Sequence, residues 1–86
     1  MYLVQFERFF LLAGRLNLAL VYLKISDWIE ARNLCSKVIE ENPSAVKAYY
    51  RRGEALIKLN DHALAMEDFN HIVTLEEDNQ AAKNKV

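Results

Sequence analysis

Proline and glycine are nearly missing from this sequence, with one proline and two glycines in 86 residues. A protein of many short strands needs those residues at its turns, so a loop-rich β architecture is excluded and long helices are expected. Cysteine is as scarce as proline: the single Cys35 allows no internal disulfide and fits a reducing cytoplasm. Charge of one sign is not in excess, since the formal net charge is −1. No global field therefore draws the chain to nucleic acid or to a membrane surface, and any basic site has to be local. Met1 to Leu12 is apolar, but Glu7 and Arg8 interrupt it, no cation precedes it and no small-residue cleavage site follows. A secretory signal and a membrane span are both disfavoured on those grounds.

What is present is a globular balance of 52% apolar and 27% charged residues, in a length that holds one domain at most. Residues 2 to 25 carry apolar side chains on nearly every helical face, with Gly14 as the only breaker. An interior glycine costs a helix about 1 kcal/mol, so Gly14 is expected to bend this segment or to mark a close helix crossing. Ser26-Asp27 ends the run, and Asp27 with Glu30 reads as a capping box opening a second helix through Ala31, Cys35, Val38 and Ile39. Asn42-Pro43-Ser44 stops it. Ser44 is the expected cap of a third helix over residues 45 to 59, and Asn60-Asp61 breaks that helix and caps a fourth. Glu76-Glu77-Asp78-Asn79 reads as a further turn, with Gln80 to Val86 as the first turns of another helix.

Helices joined by short turns invite a test for repeats. At a shift of 34 residues Lys24 falls on Lys58, Asp27 on Asp61 and Ala31 on Ala65, while Leu23/Ile57, Val38/Ile72 and Ile39/Val73 pair apolar with apolar. Small residues coincide at Ala19/Gly53. A helix-turn-helix unit of that period is the tetratricopeptide signature. The expected fold is all-α, a right-handed α-solenoid of such repeats: residues 1–11 an apolar helical segment, 12–45 and 46–79 the two units, 80–86 the start of a C-terminal capping helix. Ala19 and Gly53 are expected to be small where paired helices meet, Ala31 and Ala65 where they cross back. Cys35 and Phe69 are expected to fill the apolar slot between them.

Two segments narrow the match. Leu16-Asn17-Leu18-Ala19-Leu20 with Tyr22-Leu23-Lys24, and Lys47-Ala48-Tyr49-Tyr50-Arg51-Arg52-Gly53-Glu54-Ala55, resemble the tetratricopeptide domain of FKBP-type immunophilin co-chaperones, and Asn79 to Lys83 is similar to the start of that family's capping helix. Residues 11 to 86 carry the likeness; Met1 to Phe10 has no counterpart in it. The resemblance implies a groove that holds the Glu-Glu-Val-Asp C-terminus of a cytosolic heat-shock chaperone, its terminal carboxylates clamped by Asn, Lys and Arg. Asn17, Lys47 and Arg51 match three of those positions, while the family's first-repeat Lys and Asn have no counterpart here. It also implies a cytoplasmic protein-binding module with no cofactor, and a parent chain carrying a prolyl isomerase domain that these residues lack.

The residue types suit that chemistry. Arg51 offers a permanently charged fork, Lys47 a point charge and Asn17 an orienting neutral donor. The plainer reading is a solvated helix face, and against it stands an asparagine inside an apolar run at the position equivalent to Arg51. A structural rival treats the chain as a scaffold or oligomerisation segment: repeat arrays need about three units, and Tyr2, Phe6, Phe9 and Phe10 offer a face for a second chain. Arg52 is expected to pack its stem and snorkel its head, and Glu67-Asp68 to lie on a helix surface. Trp28 is expected to wedge between repeats. His62 and His71 lack ligand spacing for a metal, Cys35 reads as an inert buried thiol, and nothing marks a catalytic pair.

Overall fold

A computed structural model describes the backbone from residue 2 to residue 84 and the side chains from 11 to 78. Four helices follow one another: α1 (Tyr2–Lys24), α2 (Trp28–Glu41), α3 (Val46–Lys58) and α4 (His62–Asn84). Among the described residues there is no strand, and the fold is all-α. Each helix packs on the next in sequence, and α1 also touches α3. The aromatic face of Tyr2, Phe6, Phe9 and Phe10 lies outside the residues whose side chains are described.

The period of 34 reappears bond for bond in the turns. After α1, the Asp27 N–H donates to the Tyr22 carbonyl at 2.8 Å and the Ser26 N–H to Leu23 at 3.2 Å. After α3, Asp61 donates to Leu56 at 2.8 Å and Asn60 to Ile57 at 3.0 Å. Both are Schellman closures, which need a left-handed residue just past the helix. Ser26 and Asn60 supply it, each at φ 64°. The following aspartates cap the next helices, Asp27 accepting from the Glu30 N–H at 3.3 Å and Asp61 from the Leu64 N–H at 3.4 Å.

Asparagine tolerates the left-handed region through its short polar side chain, whereas serine does so at greater cost. Ser26→Gly should therefore raise stability by about 0.5–1 kcal/mol, and Asn60→Gly should change it by less. Urea unfolding of the two variants checks this; equal effects would show that the serine turn is not strained.

Burial follows the small residues. Ala19, Ala31, Cys35, Ala48 and Ala55 are completely enclosed, with Val38, Leu56 and Ala65 almost so. Ala19, Cys35, Val38 and Ala48 form one cluster, and Leu12, Leu16, Leu34, Ile39 and Ala45 pack around it. Gly53 is buried where α3 meets α4: a Cβ built there would lie 2.6 Å from Cζ of Phe69.

Four expectations are corrected. The turn at Glu76–Asn79 does not form, and α4 runs unbroken from His62 to Asn84, so residues 80–84 continue it rather than open a separate capping helix. Glu77 stands where the first unit has Pro43, so no missing N–H stops the ladder there. Ser44 does not cap α3: Ala45 holds that position without a side-chain bond. The Ser44 N–H instead donates to Asn42 Oδ1 at 3.2 Å. Finally, Gly14 marks no crossing inside the fold, since nothing lies within 4 Å of a Cβ built on it, and α1 continues through it.

Candidate peptide-binding groove

α1 and α3 hold equivalent places in the repeat, and α3 presents its outward face beside α1. Lys47 and Arg51 stand one helical turn apart on that face, as neighbours at i and i+4 must. Both line a cleft of about 350 Å³. α3 further supplies Val46, Tyr50 and Glu54 to it, α1 supplies Leu20, and α4 supplies Ile72 and Glu76. The cleft is therefore apolar at its base, with two cations and two carboxylates at its rim. Its charge is nearly balanced rather than strongly positive.

Arg51 is not a loose surface side chain. Its Nη1 donates to the main-chain carbonyl of Leu16 at 2.7 Å, across to α1. That bond holds the guanidinium beside the turn carrying Asn17, with other N–H groups of the fork left over for a ligand. Lys47 is exposed, and so is Asn17. Of the three residues, the structure brings Lys47 and Arg51 into one cleft, while Asn17 sits on the adjoining turn of α1 and does not line it.

Behind α3 lies an ion pair that the sequence reading missed. Arg52 grips Asp68 with both arms of its fork, Nε to Oδ2 at 2.8 Å and Nη2 to Oδ1 at 2.7 Å. Its Nη1 donates to Ser36 Oγ at 3.3 Å, and the guanidinium lies over the Tyr49 ring at 5.6 Å. Asp68 is only 5% exposed. Arg52 thus ties α2, α3 and α4 together rather than snorkelling, and Asp68 is an interior group rather than a surface charge. The bonds to Asp68 hold the Arg52 proton even more firmly than usual. One signal was available: Arg52 and Asp68 fall on Leu18 and Leu34 under the repeat shift, so an apolar position and its neighbour change character together.

The remaining candidates have packing roles. Burial pushes the Cys35 thiol up to about 11, against a smaller opposing pull from Arg51 and Arg52, so it stays protonated at neutral pH. His71 packs against Tyr49, ring centroids 4.5 Å apart, and the Tyr49 hydroxyl donates to the Pro43 carbonyl at 2.8 Å. Trp28 bridges to the next unit, with Lys58 Nζ 5.7 Å from its ring centre. Among the described residues no group of three His, Cys, Asp or Glu side chains is placed to hold a metal ion, and no helix is long and apolar enough to cross a membrane.

Paired helices, repeated Schellman turns and small residues at each crossing define a tetratricopeptide-repeat protein, and the tetratricopeptide repeat family matches residues 46–79. Sequence relatives narrow the class. The chain is 40% identical over 70 residues to FK506-binding protein 59 of Drosophila melanogaster, and 39% identical over 75 residues to the peptidyl-prolyl cis-trans isomerase FKBP4 of Homo sapiens. Those alignments cover 81% and 87% of this chain. The peptidyl-prolyl cis-trans isomerase PASTICCINO1 of Arabidopsis thaliana is 36% identical over 66 residues. The chain belongs with the tetratricopeptide domains of FKBP-type co-chaperones. It spans 16% of the length of the fly and human relatives and 10% of the plant one.

Proposed function

We propose that this chain is a cytoplasmic protein-binding module whose groove beside α3 takes the C-terminal carboxylate of an acidic peptide, the Glu-Glu-Val-Asp tail of a heat-shock chaperone being the ligand that the family resemblance implies. The observation that carries this reading is the shared cleft of Lys47 and Arg51, with Arg51 held by the Leu16 carbonyl next to Asn17. A fixed guanidinium costs less to order on binding than a free one. Lys47 adds a second charge and Asn17 a donor from the neighbouring helix. Leu20, Tyr50 and Ile72 give an apolar floor for the residue before the carboxylate. Glu54 and Glu76 oppose further acidic residues, so the terminal carboxylates contribute more than the glutamates upstream. The resemblance lies in the repeat region, so the isomerase activity that names the FKBP4 relatives is assigned to a different domain, and a prolyl isomerisation assay on this chain should show none.

Titration of a fluorescent Glu-Glu-Val-Asp peptide tests the reading. Lys47→Ala and Arg51→Ala should each weaken binding by roughly ten- to a hundredfold, the worth of one charge-assisted bond. Added salt should weaken it as well. Glu76→Gln should tighten it. Equal affinity for the C-terminally amidated peptide would exclude the carboxylate clamp.

A further inference from the structure

A second cavity, of about 200 Å³, lies on the other side of α3 from the groove. α3 gives it Arg52 and Leu56, which by the helical period face away from Lys47 and Glu54. α2 and α4 hold equivalent places in the two units and do not pack on each other, and the cavity opens in the seam between them. Leu56 is its floor and Leu64 of α4 stands at its rim, the first 4% and the second 47% exposed. The Arg52–Asp68 pair and Ser36 also line it. Every wall is supplied by the chain's own α2, α3 and α4, and no residue lines both this cavity and the groove.

Two further charges line the cavity, Arg32 on α2 and Glu67 on α4. Arg52 and Asp68 satisfy each other, but Arg32 and Glu67 do not. Among the described residues neither belongs to an ion pair, and Arg32 donates only to the neighbouring Asn33 amide oxygen, at 3.3 and 3.4 Å. A cation and an anion thus stand unpaired on the two walls above an apolar floor. The repeat itself requires neither charge, since Met66 and Asn33 hold the equivalent positions.

The volume falls short of the roughly 300–1,000 Å³ of a small-molecule site. It suits one aliphatic side chain, the kind of anchor that fills a pocket at the centre of an interface. A seam between two helices suits an anchor carried on a third helix. The unpaired charges then specify what flanks the anchor: a carboxylate toward Arg32 and a cation toward Glu67. On a helix, the residues three before and three after an anchor lie to either side of it. We propose that this seam binds an amphipathic partner helix through one leucine-sized anchor, with an acidic residue three positions to one side of it in sequence and a basic residue three positions to the other. The site is separate from the groove, so one chain can hold a peptide end and a helix together.

The probe is a fluorescent, alanine-rich helical peptide with a central leucine, a glutamate three residues before it and a lysine three after. Anisotropy should show saturable binding to the full chain. Serine in place of the leucine should weaken it by about ten- to a hundredfold, the worth of burying such a side chain. Arg32→Ala and Glu67→Ala should each weaken it by about two- to fivefold, as for an exposed ion pair. A peptide with glutamate on both sides should bind the wild type less well, and Glu67→Lys should restore it; a peptide with two lysines and Arg32→Glu make the mirror test. Amide shifts in NMR spectra should centre on residues 32–36 and 64–68, and an excess of Glu-Glu-Val-Asp peptide should displace nothing. A probe that does not bind, binding that ignores the leucine, an acidic-flanked peptide that Glu67→Lys does not rescue, or shifts centred on Lys47 and Arg51 would each overturn the proposal.

Discussion

Asp68→Ala should destabilise this protein by about 3 kcal/mol, the lower part of the range for removing one partner of a buried ion pair. The lower part applies because the Arg52 side chain keeps 24% of its surface in water while Asp68 keeps 6%. Alanine at 68 strands the guanidinium between α2, α3 and α4 with Ser36 as its remaining bonded partner. Against a total stability of roughly 5–15 kcal/mol for a small domain, such a loss is large. The double variant Arg52→Leu with Asp68→Leu should behave differently. It restores the residues that the first unit carries at Leu18 and Leu34, and replacing both members of a buried pair by apolar groups is often neutral or stabilising. Urea denaturation of wild type, the single variants and the double variant closes a cycle, with an expected coupling of 2–3 kcal/mol. A cost below about 0.5 kcal/mol for Asp68→Ala would mean that the pair behaves like an exposed one, contrary to its burial.

The second large effect belongs to Gly53. A methyl group there would meet the Phe69 ring, 2.6 Å from Cζ and 2.8 Å from Cε1. That ring is also engaged edge-on by Tyr50 at 5.9 Å, so it does not swing aside freely. Overpacking of this kind costs about 1–3 kcal/mol, and the better helix propensity of alanine returns about 1 kcal/mol. Gly53→Ala should therefore lose up to about 2 kcal/mol on the balance of the two. Gly14→Ala offers the control. Nothing opposes a Cβ there, so only the propensity term acts and the chain should gain up to about 1 kcal/mol. The first unit shows how Gly53 is compensated: Ala19 sits in the same cluster as Cys35, so the methyl is present where the ring is not. Gly53→Ala should accordingly be better tolerated beside Phe69→Cys than beside Phe69. Thermal melts of these variants decide the matter, and equal shifts for the two glycines would show that the Gly53 contact relaxes without cost.

Both predictions rest on pairs of positions that change together between the two units. Gly53 with Phe69 replaces Ala19 with Cys35, and Arg52 with Asp68 replaces Leu18 with Leu34. The first substitution removes the methyl on one side of the crossing where a ring stands on the other, so the small-against-large pattern of the repeat predicts it. The second exchanges apolar surface for a closed charge pair, and neither charge alone marks the other as its partner. Reading each charge alone put Arg52 and Asp68 at the surface. Only their meeting makes burial tolerable.

The helices, the turns after α1 and α3, and the small residues at the crossings follow from the sequence by itself. They depend on neighbours a few residues apart: apolar period, the helix breaks at Ser26 and Asn60, and aspartate caps one residue on. The acidic stretch Glu76–Asn79 misled for the same local reason, because polarity suggests a turn while the absence of proline and glycine lets α4 continue. Tertiary structure decided the rest. It set the bond from Arg51 to the Leu16 carbonyl, the enclosure of Asp68, and the place of Asn17 beside the cleft rather than in it. Those facts hang on how helices cross, and a crossing is fixed by the packing of side chains from distant segments, which no short stretch of the chain contains.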